Sequence, residues 1–135
     1  MKKSMGMTIT IAAVLALALA AAGRPYEEVM KEVGAACGSL KKNIDAKQYT
    51  EAGADAKKLE ALFGEVHKFW KAKKATDAVA FSKDARAAAK LSAAAAKSSN
   101  GEEAQKSFEK LVANCKGCHA AHREKAPDGK WRIKA

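Results

Sequence analysis

From Tyr26 onward apolar residues recur at steps of four and three: Tyr26, Met30, Val33, Cys37, Leu40 and Ile44. That spacing lays one stripe along an α-helix, and it predicts a first helix entered at Pro25, a residue suited to a first helical turn. Leu59, Leu62, Phe63, Val66 and Trp70 mark a second stripe, on a helix from about Thr50 to Lys71. Thr76 or Asp77 can cap a third helix, which runs through Val79, Phe81 and an alanine-rich stretch to about Lys97. Small side chains there let a neighbour pack close. Ser98-Ser99-Asn100-Gly101 is a turn signal. A fourth helix follows from Glu102 to about Lys125, with Ala104, Phe108, Leu111, Cys115, Cys118 and His122 on its seam. Helices of this length joined by short connections make sequential neighbours antiparallel, so residues 24–125 are expected to form an all-α, up-down-up-down four-helix bundle. Residues 126–135 form a short basic tail whose Trp131 the sequence leaves unplaced.

The first 22 residues differ from the rest. Lys2 and Lys3 precede an apolar run from Ile9 to Ala22, and Ala18, Ala20 and Ala22 offer A-x-A-like cleavage sites. The run is shorter than the roughly 20 residues that cross a bilayer. A cleaved export signal over residues 1–22 is therefore expected, with a periplasmic product and no stable membrane insertion after processing. Cleavage would remove two lysines and no acid, lowering the formal charge from +10 to +8. A basic surface steers a protein toward acidic partners and says nothing of fold. The lysines are spread over every segment, so nucleic acid is not expected as a partner.

Cys115-Lys116-Gly117-Cys118-His119 is a C-x-x-C-H run, the attachment signal for covalent haem. Residues three and four apart share a helix face, so two thiols can bond one porphyrin's vinyl groups while the His119 imidazole reaches its iron. Two other readings compete. A closed zinc site needs four ligands, with only Cys37, His67 and His122 left to complete it. A thioredoxin-like dithiol belongs beside a βαβ pattern, and the chain shows no strand signal. One haem c per chain agrees best with the export signal.

The antiparallel order sets heights. The start of the first helix, the end of the second, the start of the third and the end of the fourth share one level. Met30 lies about five residues into the first helix and His119 about five before the end of the fourth. At about 1.5 Å of rise per residue they come to similar heights, with the haem between them. Met30 is the only methionine after residue 22. It reads either as core filler or as distal ligand. His67, between Phe63 and Trp70, is the competing ligand. His122 reads as a packed or solvent-facing histidine, and Cys37 as a buried thiol or one free to form an intermolecular disulfide.

With the C-x-x-C-H run on its last helix, the chain resembles the class II c-type cytochromes, the cytochrome c′ and cytochrome c556 group. Arg123, four residues after His119, matches that family's arginine beside the proximal histidine. Val29-Met30-Lys31-Glu32-Val33-Gly34 resembles the Met-Lys-x-x-Gly stretch of the c556 branch, in which the methionine is the distal ligand. The resemblance implies haem held by Cys115 and Cys118, with His119 proximal, Met30 distal and Arg123 nearby, and it allows a homodimer.

Two functions follow. Met/His ligation fills both axial positions and raises the reduction potential. It suits an electron carrier docking with an acidic redox partner. An open distal site walled by Val33, Phe63 and Phe81 would instead suit a five-coordinate, cytochrome c′-like binder of nitric oxide or carbon monoxide. No nucleophile, phosphate loop or acid–base pair stands out, so no enzymatic activity is expected.

Overall fold

The computed structural model describes residues 23–134; the expected signal, residues 1–22, lies outside them. Four α-helices follow one another: α1 (Tyr26–Asp45), α2 (Tyr49–Ala72), α3 (Thr76–Lys97) and α4 (Gly101–His122). A two-stranded antiparallel hairpin, β1 (Arg123–Lys125) and β2 (Trp131–Ile133), closes the chain. The helices pack as a four-helix bundle, and none of the described helices is long and apolar enough to cross a membrane.

Each pair of helices is joined by three residues, and all three joints share one geometry. Lys47, Lys74 and Ser99 sit at φ of 55°, 57° and 53°. At the first joint Lys47 N–H donates to Ile44 O at 3.0 Å and Gln48 N–H to Asn43 O at 2.8 Å. This is the Schellman pattern, which satisfies carbonyls left open at a helix end. The same pair of bonds recurs after α2 and after α3. Glycine usually holds the left-handed position, because a Cβ there costs roughly 1–2 kcal/mol. None of the three is glycine here. Lys74→Gly is therefore expected to stabilise the protein by about 1 kcal/mol after glycine's own entropic cost, read as a higher urea midpoint at unchanged m-value.

Helix starts are less uniform. Asn100 caps α4, its Oδ1 accepting from Glu103 N–H at 3.1 Å. The cap expected from Thr76 or Asp77 is not made: Ala75 holds the N-cap position of α3 without a side-chain bond, and Asp77 lies one residue inside the helix.

The core runs along α1, α2, α3 and the first half of α4. Leu40, Leu59 and Leu111 are its largest fully buried side chains. On α3 the buried positions are alanines and serines, among them Ala85, Ala89, Ser92 and Ala96. Small residues let α2 and α4 lie close on either side, and α3 packs most extensively of all. By contrast, α1 leans on α2 and barely meets α4. The buried line on α1 is Val29, Val33, Ala36, Leu40 and Ile44. Met30, Cys37 and Tyr26, expected on the seam, are only half-buried and border it. Burial on α4 likewise stops at Leu111, leaving Cys115 and Cys118 half-buried rather than in the core. The bundle is thus closed at one end and parted between α1 and α4 at the other.

The fourth helix ends three residues earlier than the periodicity implied. Arg123 turns extended, at φ −120° and ψ 135°, and begins β1. A turn at Ala126–Gly129, closed by Gly129 N–H to Ala126 O at 2.9 Å, returns the chain, with Gly129 at φ +79°. Lys134 N–H then donates to His122 O at 2.9 Å, and Lys134 Nζ to Ala120 O at 3.1 Å. The basic tail therefore caps α4 instead of trailing from it.

Candidate functional site

Where α1 and α4 part, a cavity of 1190 Å³ opens, lined by Met30, Cys37, Phe81, Cys115, Cys118, His119 and Arg123 among others. It slightly exceeds the roughly 300–1,000 Å³ usual for cofactor sites, and its wall is mainly apolar. Met30 and Cys37 come from α1, Phe63, Val66 and Trp70 from α2, Phe81 and Ala85 from α3, and the C-x-x-C-H run from α4. All of Val33, Phe63 and Phe81, expected as apolar wall, face it. His67 does not line it. That ring instead lies with Nδ1 3.4 Å from Ser82 Oγ.

Within the C-x-x-C-H run, Gly117 meets the Phe81 ring so closely that a Cβ would fall 2.6 Å from a ring carbon. Gly117 thus leaves room for the α3 phenyl ring to lie against α4. Phe81 thereby packs α3 closely on α4 beside the cavity.

An aromatic cluster holds the open end together. Tyr26 stacks on Phe69, ring centroids 4.1 Å apart, and Trp70 Nε1–H donates to the Tyr26 hydroxyl at 3.0 Å. The His122 ring lies 4.7 Å from that of Trp70, and its Nε2–H donates to Asp77 Oδ2 at 2.8 Å. This bond holds the Asp77 carboxyl below the usual carboxylate range. It ties the start of α3 to the end of α4, as the antiparallel order requires. His122 is thus packed and paired, and sequence reasoning missed the partner because 45 residues separate the two.

Burial dominates the electrostatics. It pushes the Cys115 thiol up to about 12 and Cys37 up to about 11, and raises Cys118 as well. Reactive dithiols have depressed thiol pKa values, so this environment weighs against a thioredoxin-like role. Burial, then the neighbouring Arg123 charge, lower His119 below the ordinary imidazole range. A neutral imidazole is the form that binds a metal. Among the described residues no three His, Cys, Asp or Glu side chains converge as a metal-ion group, whereas closed zinc sites need four ligands.

Arg123 lines the cavity from the hairpin rather than from α4. Its guanidinium lies 4.0 Å over the Trp131 ring, with Lys125 Nζ at 5.3 Å. Trp131 and Ile133 complete that wall. The hairpin had a readable signal, since Pro127-Asp128-Gly129 is a turn sequence with a mechanism.

The donor set fits a covalently held haem: two thiols and an imidazole on one helix, a thioether on the facing helix, and apolar walls between. The chain matches no protein-family model and no curated protein.

Proposed function

We propose that the chain is an exported, monohaem class II cytochrome of the c556 kind that carries electrons. The observation supporting this most strongly is that Cys115, Cys118 and His119 on α4 and Met30 on α1 line one apolar cavity. Bound there, haem supplies a one-electron iron couple.

The chain's own residues have distinct tasks in this reading. Cys115 and Cys118 tether the porphyrin, and their three-residue spacing holds it to one face of α4. His119, its pKa lowered by burial, offers a ring nitrogen to the iron. Met30 closes the other side with a soft sulfur. Val33, Phe63 and Phe81 exclude water, which holds the local dielectric low. Arg123 puts a positive charge beside His119. Export rests on the sequence of residues 1–22.

The spectrum of the oxidised protein tests the carrier reading. Low-spin iron with the weak red band of methionine ligation, and no uptake of carbon monoxide on reduction, is the expected result. High-spin iron that takes up the gas readily would move the protein to the cytochrome c′-like binders.

A further inference from the structure

The geometry points to the C-terminal hairpin as the docking face for an acidic electron-transfer protein, with Trp131 at its centre. This rests on the cytochrome reading above.

Among the described residues Trp131 is one of only two large hydrophobics left exposed, at 51%. It also lines the cavity, so the indole spans from the cofactor side of the wall to solvent. Its ring is braced by the Arg123 guanidinium at 4.0 Å and by Lys125 Nζ. Residues 123–134 carry five basic side chains and two acids. One acid, Glu124, is taken up by Arg132 at 2.9 Å. The other, Asp128, accepts from Lys130 N–H within the turn.

An exposed aromatic ringed by cations is the composition of a protein-binding hot spot, where tryptophan and arginine are enriched. Opposite charge on the partner speeds and orients the encounter. A membrane surface would also attract these residues, but interfacial anchoring draws on the long apolar face of an amphipathic helix, and the hairpin offers a single indole. The fold explains the rigidity such a site needs. The hairpin is tied to α4 through Lys134, and Ile133 packs on the core.

The exchange is balanced simply. One electron passes from the donor's reduced centre to iron(III), giving iron(II), with no bond made or broken.

Reduced plant-type ferredoxin, an acidic one-electron donor, serves as probe against the oxidised haem protein in stopped flow. At low ionic strength Lys125→Glu/Lys130→Glu is expected to slow the second-order rate at least about tenfold, the difference closing as salt screens the charges. Trp131→Ala is expected to slow it at high salt as well. Lys42→Glu/Lys97→Glu, the same charge change at the far end of α1 and α3, should alter the rate less than about twofold. Equal slowing by both charge pairs, or no slowing by either hairpin variant, would overturn the proposal. So would hairpin variants that lose sedimentation with phosphatidylglycerol vesicles while keeping the ferredoxin rate, which would assign the face to lipid. Dithionite separates the two levels: a chain it cannot reduce fails as a cytochrome, whereas one it reduces but whose ferredoxin rate ignores the hairpin fails only here.

Discussion

Met30→Ala is expected to turn low-spin iron high-spin, erase the red methionine band, lower the reduction potential and admit carbon monoxide. The sulfur comes from α1, which barely meets α4. Its removal leaves that side of the cavity with apolar neighbours such as Val33 and Phe63. Neither of these can replace a ligand, whereas Cys37, on the same helix as Met30, lines the cavity with a thiol. Gas affinity should rise about tenfold for each 1.4 kcal/mol that the sulfur–iron bond contributes, since carbon monoxide no longer has to displace it. The potential falls because a thioether favours the reduced iron. Low-spin iron persisting in the variant would mean that another side chain has reached the metal: Cys37 from the cavity wall, or His67, which is held against Ser82 and would have to swing inward.

Leu111→Ala is expected to cost about 2–5 kcal/mol, the largest stability loss of any single core truncation proposed for this chain. Leu111 is 0% exposed and lies one helical turn before Cys115. It is the last buried residue of α4, where the fully packed part of that helix ends. Truncation would leave a hole in the packed core, and the cost grows with the volume that neighbours fail to fill. Leu91 is the internal control. It has the same side chain but is 51% exposed, and Leu91→Ala should shift the urea midpoint by less than about 0.5 kcal/mol equivalent. Equal losses at both positions would contradict the packing described.

Much of this arrangement is legible in the sequence, for reasons that differ by element. The helices show as 3.6-residue periods, and α2 extends only one residue beyond its expected bounds at each end. The α1 seam was harder to place. Met30 and Cys37 read as core because a side chain lining an apolar cavity resembles one in the core, yet full burial falls on Val29, Val33 and Ala36. Joint geometry left little trace, since the left-handed positions hold Lys47, Lys74 and Ser99 in place of glycine. Helical propensity carried the fourth helix through Arg123–Lys125, whereas pairing with Trp131–Ile133 pulls those residues into a strand. That pairing moves Arg123 to the hairpin while keeping it at the cavity. The Asp77–His122 bond and the Gly117–Phe81 contact depend on two helices meeting, and no local pattern encodes either.

Covalent attachment of haem through Cys115 and Cys118 is the claim on which the rest depends, and intact mass after acid–acetone extraction measures it directly. The expected result is a processed chain heavier than its apoprotein by one haem, with the colour remaining in the protein, and an unmodified mass when both cysteines are replaced by alanine. Colour passing into the acetone, with the protein at its apoprotein mass, would contradict it.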